Sequence, residues 1–283
     1  MKQSKMIKDR TIQFGSNKNF FIGTLKQPFY VPVRSVWPFV TAWSLFFTMF
    51  SAVFYMHGNR LGVCIFSTTT YALFGSILCW MEELFYEMFE GRNTLIVRQN
   101  IRIGWSLFIL SEAMLFFGFF WAFFHSSLSP AMEIGFVWPP KGIEVFNPWE
   151  VPLANTVILL SSGAFATWAH YMIAVSIRQA QLGLWSAICL GAIFTLFQIA
   201  EYSSAAFAIV DGIYGSLFYM ITGFHGFHVL IGTVFLYVCV RNTYYGLLDS
   251  SSVFLDLAIW YWHFVDIIWL FVFAFIYCWG SGF

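Results

Sequence analysis

The stretch Ile103-Gly-Trp-Ser-Leu-Phe-Ile-Leu-Ser-Glu-Ala-Met-Leu-Phe-Phe-Gly-Phe-Phe-Trp-Ala-Phe-Phe124 is an apolar run with one acidic residue, Glu112, near its middle. About 20 apolar residues are enough to cross a bilayer as an α-helix. A carboxyl group at mid-depth costs about 2.5–3.5 kcal/mol on insertion scales, so a helix usually keeps one for a functional reason. The stretch therefore predicts a membrane-spanning helix and a functional role for Glu112, with an interhelical hydrogen bond as the alternative.

The composition of the whole chain agrees with a membrane protein. Of its 283 residues, 59% are hydrophobic and only 10% are charged, whereas a soluble domain is about 25% charged. The formal net charge is zero, which gives no reason to expect a nucleic-acid partner. The five cysteines are isolated and lie in or beside apolar runs, so they are interpreted as small hydrophobic fillers.

Seven segments are long and apolar enough to span a bilayer, which predicts an all-α membrane protein. Their approximate bounds are 36–56, 61–81, 103–124, 154–176, 184–207, 215–240 and 257–279. The pattern divides the chain into a basic N-terminal segment at 1–35, a helical hairpin at 36–81, a polar helix extension and connector at 82–102, and a five-helix bundle at 103–283. The proline-rich loop at 125–153 is expected to lie folded on the membrane surface.

The lysines and arginines predict the orientation of these spans. Counted on alternate sides of seven helices, twelve basic residues fall on the N-terminal side and two, Arg60 and Lys141, on the other. Basic residues concentrate on the cytoplasmic or matrix side of a membrane. The N-terminus is therefore expected on that side and the C-terminus on the opposite side.

The histidines raise the possibility of a metal site. His225 and His228 share a helix face at i,i+3, a spacing at which both could ligate one ion. His263 shares a face with Asp266, His170 lies in the fourth span, and His125 ends the third. The alternative is that each histidine forms hydrogen bonds to a neighbouring helix, as polar groups in helix bundles normally do.

Further polar residues lie inside the spans or at their edges. Gln198 and Glu201 are i,i+3 partners, and Asp266 is expected to pair with His263 as either a neutral or an ionic pair. Glu112 has no basic residue at i±3 or i±4, so its apolar face favours the protonated acid. Such a group could serve a proton path or hold a lipid headgroup. Small residues at Gly163, Gly223, Gly226 and Gly232 predict close helix packing.

Several motifs, taken in order, resemble subunit III of the haem-copper oxidases, in particular that of mitochondrial cytochrome c oxidase. They are Ser111-Glu-Ala-Met-Leu-Phe-Phe-Gly-Phe-Phe-Trp-Ala-Phe-Phe-His-Ser-Ser-Leu128, Trp138-Pro-Pro-Lys-Gly142, Asn147-Pro-Trp-Glu-Val-Pro152, Thr167-Trp-Ala-His170, Asp211-Gly-Ile-Tyr-Gly215, Gly223-Phe-His-Gly-Phe-His228 and Trp260-Tyr-Trp-His-Phe-Val-Asp266. The resemblance covers about residues 36–281. The chain departs from the family in the run Gly91-Arg-Asn-Thr94, where the family often has two histidines.

The resemblance implies seven helices in two groups, the first two and the last five, separated by a V-shaped lipid-binding cleft. It implies no metal and no redox cofactor in this chain, because haem a and copper belong to partner subunits. Glu112 matches the carbodiimide-reactive carboxyl that the family links to protons and lipids. Arg92 and Trp80 are candidate contacts for a lipid headgroup. The polar residues assigned structural or interface roles are His125, His170, Gln198, Glu201, His225, His228, His263 and Asp266.

The resemblance also implies the surroundings of the chain. Subunits I and II, accessory subunits and phospholipids, cardiolipin among them, are the expected partners, and the mitochondrial inner membrane is the expected location. The expected function is that of a core subunit of complex IV, which moves electrons from cytochrome c to oxygen and pumps protons. Three alternatives stay open at this stage: a subunit III of a bacterial or quinol oxidase, a proton-coupled transporter, and a di-histidine membrane metalloenzyme.

Overall fold

The computed structural model describes residues 34–89, 94–246 and 253–282 of the chain. In these residues it contains seven long helices and a short 3₁₀ turn at Met132–Ile134, and no strand. The helices are α1 (Trp37–Met56), α2 (Arg60–Phe89), α3 (Leu95–Leu128), α4 (Val151–Met172), α5 (Ile177–Ser204), α6 (Gly212–Tyr244) and α7 (Val253–Val272, continued by a π-helical segment at Phe273–Trp279). All seven are long and apolar enough to cross a membrane, which confirms the predicted fold class.

The helix ends extend beyond the apolar runs because polar residues continue the same helices. Helix α2 continues through the acidic stretch after residue 81 as far as Phe89. Helix α5 begins at Ile177, before the predicted start at residue 184, since Arg178 and Gln179 fit its first turn. Hydropathy marks the part of a helix that faces hydrocarbon, whereas backbone hydrogen bonding fixes where the helix ends.

The described residues form two compact units with the chain boundary between Ile101 and Arg102. The first unit contains the α1–α2 hairpin, whose tight turn depends on two glycines. Gly58 has φ +73°, a left-handed conformation that suits glycine. A Cβ at Gly62 would lie 2.7 Å from the backbone nitrogen of Tyr55, so only glycine lets the two helices approach this closely. Farther along the hairpin, the Ser51 and Thr69 hydroxyls lie 3.0 Å apart and join the helices.

The second unit, from Arg102 onwards, is built around α7. This helix buries most of its length, including the indoles of Trp262 and Trp269. The Trp262 Nε1–H donates to Ser162 Oγ at 2.8 Å, and the Trp269 Nε1–H donates to Thr156 Oγ1 at 3.0 Å. The two bonds join α7 to α4 and satisfy indole groups that would otherwise be buried without a partner.

Glycines next to Trp262 set the spacing of the neighbouring helices. A Cβ at Gly191 on α5 or at Gly232 on α6 would lie 2.7 Å from ring atoms of Trp262. The predicted packing role of Gly232 is thus confirmed. The same prediction is wrong for Gly223 and Gly226, because no described atom lies within 4 Å of a Cβ built at either position.

The loop between α3 and α4 lies against one end of the second unit. The Trp138 Nε1–H donates to the carbonyl of Gly280 at 3.0 Å, and the Trp138 ring packs against Phe123. Phe146 packs against Phe207 and Phe218. The aromatic residues of this loop therefore anchor it to the helix ends.

Candidate functional site

The Glu112 carboxyl on α3 is paired with His228 on α6. The Glu112 Oε2 atom lies 2.9 Å from His228 Nε2, and the two side chains are 24% and 7% exposed. The sequence marks both residues as candidates but does not predict that they are in contact, since they are 116 positions apart. The partner that Glu112 lacks on its own helix is supplied by another helix.

The second nitrogen of His228 fixes where the protons of this pair reside. His228 Nδ1 lies 2.7 Å from the carbonyl oxygen of Phe224. A carbonyl oxygen only accepts hydrogen bonds, so Nδ1 carries a hydrogen and donates it. One further proton then lies between Nε2 and the Glu112 carboxyl. Either the carboxylic acid donates to a neutral imidazole or an imidazolium donates to a carboxylate, and the pair has zero net charge in both cases.

Aromatic rings surround this pair. The Phe116 ring is buried and lies 5.2 Å from the imidazole of His228. Tyr261 on α7 stacks on the same imidazole at 6.2 Å with an interplanar angle of 18°. Such surroundings disfavour a separated charge but tolerate a neutral pair. The geometry therefore allows Glu112 and His228 to share one exchangeable proton between α3 and α6.

A second cluster joins three helices through the Asp256 carboxylate. Arg102 on α3 donates through Nη2 to Asp256 Oδ2 at 2.7 Å, and His170 on α4 has its Nε2 atom 2.9 Å from Asp256 Oδ1. The sequence predicts a structural role for His170 and none for Arg102 or Asp256. The missing signal is long-range, because Arg102 and Asp256 are 154 positions apart.

His263 and Asp266 form a third polar cluster with α4. His263 Nδ1 lies 3.6 Å from Asp266 Oδ2, which is ion-pair range but longer than a hydrogen bond. On its other side, His263 Nε2 lies 2.9 Å from Thr167 Oγ1. A Cβ at Gly163 would overlap Asp266 Oδ2, so the Asp266 carboxyl would have to move if α4 carried a larger residue there.

We expect Gly163→Ala to destabilise the second unit. The new methyl group would displace the buried Asp266 carboxyl, and overpacking of this kind costs about 1–3 kcal/mol. The measurement is the thermal unfolding temperature of the purified protein. Gly118→Ala on α3 is the matched control, because no described atom lies within 4 Å of a Cβ there. Equal melting temperatures for the two variants would contradict the expectation.

The remaining predicted residues of the second unit have other partners than Glu112. His225 Nε2 is 3.3 Å from the Val265 carbonyl, and its ring packs against Trp269. His125 is exposed and stacks on Trp121. Gln198 and Glu201 meet the hydroxyl of Tyr277. Trp80 is half-buried in α2, whereas Arg92 lies outside the described residues.

The partners of His225 and His228 disfavour a shared metal ion. The His225 imidazole is directed to Val265 on α7, and the His228 imidazole is directed to Glu112 on α3. Across the described part of the chain, no group of three or more His, Cys, Asp or Glu residues is placed to hold a metal ion. These features define a polytopic helical membrane protein whose interior polar groups bind one another.

Comparison with known proteins identifies the family within this class. The family model described as cytochrome c oxidase subunit III matches residues 27–281. The chain is 49% identical to cytochrome c oxidase subunit 3 of Chondrus crispus over 91% of this chain and 96% of the relative. It is 48% identical to the Arabidopsis thaliana protein of that name, over 87% and 94% of the two chains. It is 44% identical to the Rhizopus stolonifer one, over 90% and 91%.

The chain belongs to the cytochrome c oxidase subunit III family. This membership confirms the resemblance stated from the sequence motifs and makes the chain a subunit of an oxidoreductase complex of the respiratory chain. The seven apolar helices and the mitochondrial relatives indicate a multi-pass protein of the inner membrane. The transporter and metalloenzyme alternatives have no support from these matches.

Proposed function

We propose that this chain is the non-redox core subunit III of complex IV and that its Glu112–His228 pair supports proton uptake. The observation that carries the proposal is the hydrogen bond from His228 Nδ1 to the Phe224 carbonyl. Because that bond occupies one imidazole nitrogen, a single proton is shared between the other nitrogen and Glu112. A shared proton can move between the two groups without a change in net charge, which lowers its cost in an apolar region.

The proposed partners are subunits I and II and the accessory subunits of the oxidase. Haem a and copper reside in those partners, and this chain contributes scaffold and proton support. We place the N-terminus on the matrix side and the C-terminus on the intermembrane-space side. Support comes from the charge count, which puts twelve of the fourteen basic residues on the N-terminal side.

Bound phospholipids, cardiolipin among them, are a further part of the proposal. In the first unit, aromatic residues along α1 form a row of exposed rings in mutual contact, such as Phe46 against Phe50 and Phe50 against Phe54. A groove of about 340 Å³ beside them has a mainly apolar lining that includes Trp43 and Phe47. These features suit acyl chains, and mass spectrometry of the lipids retained by the purified oxidase tests the assignment. The V-shaped cleft and the headgroup contacts of Trp80 and Arg92 stay predictions.

Glu112→Gln is the experiment that tests the proton role. Gln has nearly the same shape, and its amide N–H can donate to the unprotonated Nε2 of His228, so the contact survives while the exchangeable proton is lost. We expect normal assembly and initial activity, slower proton uptake, and several-fold fewer turnovers before the enzyme inactivates. Turnover number and proton uptake are measured on the purified oxidase.

Glu133→Gln is the matched control, because Glu133 is an exposed acid in the 3₁₀ turn after α3. This variant should behave like the unmodified oxidase in both assays. A Glu112→Gln oxidase with unchanged lifetime and proton uptake would reduce the pair to a packing role.

A further inference from the structure

Another buried carboxyl, that of Glu201, belongs to a polar site at the other end of the second unit from Asp256. Glu201 and Gln198 lie on one face of α5, and the Tyr277 hydroxyl on α7 lies 2.5 Å from Glu201 Oε1 and 3.4 Å from Gln198 Nε2. All three side chains are buried, Glu201 to 97% and Gln198 to 95%. None of the three contributes to the Glu112–His228 pair.

The hydrogen bonds in this site form a chain of donors that leads from Gln198 through Tyr277 to Glu201. The Gln198 amide N–H donates to the Tyr277 oxygen, and the Tyr277 O–H donates to Glu201 Oε1. Two buried oxygen atoms, Gln198 Oε1 and Glu201 Oε2, then have no protein hydrogen-bond partner in the described chain. Glu201 is not a member of any ion pair found among the described residues.

These facts restrict the state of the Glu201 carboxyl. A charged carboxylate with one hydrogen bond and no cation is costly in a buried setting, whereas a neutral acid needs only an acceptor for its O–H. The Gln198 Oε1 atom, in turn, lacks a donor. A water molecule that accepts from the Glu201 O–H and donates to Gln198 Oε1 satisfies both atoms, and buried waters typically occupy such positions.

The backbone of α7 is distorted at this site. Tyr277 lies in the π-helical segment Phe273–Trp279, and such wide turns occur frequently at functional sites. The Tyr277 ring rests against Phe218 and Trp269, which hold its hydroxyl towards α5. The π-helical turn thus positions the only donor that Glu201 has among the described side chains.

A groove on the second unit lies beside the C-terminal end of α5, the helix that carries Gln198 and Glu201. It has a volume of about 550 Å³ and is lined by Tyr202, Tyr219, Asp211 and the chain between α5 and α6. Tyr202 lies one helical turn after Gln198 on α5, and its hydroxyl donates to Thr222 Oγ1 at 2.6 Å. The groove and the buried site therefore share Tyr202 as a neighbour.

We propose that Gln198, Glu201 and Tyr277 form an internal water-binding site in which Glu201 is a neutral carboxylic acid that exchanges its proton with water through this groove. Exchange replaces the O–H proton of Glu201 by a proton from water, so no bond to carbon changes and the net charge stays the same. The site is independent of the proposed role of Glu112.

Infrared difference spectroscopy of the assembled oxidase tests the protonation state. Subtracting the Glu201→Gln spectrum from that of the unmodified complex should show one lost carboxylic-acid C=O band, which moves to lower frequency in D₂O. In Tyr277→Phe the band should persist and move to higher frequency, because the hydrogen bond from the tyrosine is lost. Glu144→Gln, an exposed acid, should lose only carboxylate bands.

Three results would overturn the proposal. Loss of carboxylate rather than acid bands in Glu201→Gln would show an ionised group. An acid band without a D₂O shift would exclude access through the groove. A density map of the oxidase that resolves ordered waters but has no peak between Gln198 Oε1 and Glu201 Oε2 would exclude the bound water. If Glu201→Gln fails to assemble, the Tyr277→Phe spectrum and the density map decide.

Discussion

Trp262→Ala is expected to lower the stability of the five-helix part of this chain by about 3–5 kcal/mol, the usual cost of removing a fully buried large aromatic ring. Trp262 has no exposed surface. Its ring occupies the space that Gly191 and Gly232 leave on two other helices, and its Nε1–H donates to Ser162 on a third. Alanine would therefore remove contacts to α4, α5 and α6 at once.

The measurement is the temperature at which the purified oxidase releases this subunit, together with the amount of subunit in assembled complexes. Trp149→Ala is the matched control, because Trp149 is 62% exposed in the loop before α4. Trp262→Phe should give a release temperature between those of the two alanine variants, since phenylalanine keeps an aromatic ring but loses the hydrogen bond to Ser162. Equal release temperatures for Trp262→Ala and Trp149→Ala would contradict the central position of Trp262.

The part of the fold that could be predicted is the part that hydropathy determines. Apolar runs report directly on contact with lipid, so the seven spans follow from composition. The π-helical turn at Phe273–Trp279 leaves no such pattern, because its apolar residues fit an α-helix equally well. Its position depends on the packing of Tyr277 against other helices.

Local spacing predicts which residues share a helix face but not which residues of other helices that face contacts. Gly232 and the pair Gly223 and Gly226 have the same small side chain on the same helix, yet only Gly232 packs against a large ring. His225 and His228 share a face at i,i+3, yet their nitrogens bond to different helices. The Glu112–His228 contact that defines the candidate site joins residues 116 positions apart, beyond the reach of a local motif.

His228→Ala is expected to impair the oxidase in the same way as Glu112→Gln, although it leaves the carboxyl in place. Without the imidazole, Glu112 loses the group that we propose shares its proton, and a partly buried carboxyl is left without its hydrogen bond. We expect near-normal initial activity and several-fold fewer turnovers before inactivation. Turnover lifetime is measured beside that of Glu112→Gln and of Phe227→Ala, an exposed neighbour on α6 that serves as the control.

Glu112→Gln and His228→Ala together distinguish three roles of the pair that one substitution alone cannot distinguish. If proton sharing matters, both variants lose lifetime and the double variant loses little more, because each single change already breaks the same unit. If only the carboxyl matters, His228→Ala keeps its lifetime. If the pair only holds α3 to α6, the nearly isosteric Glu112→Gln stays close to normal. His228→Ala then lowers the release temperature, since hydrogen bonds between membrane helices contribute about 0.6–2 kcal/mol.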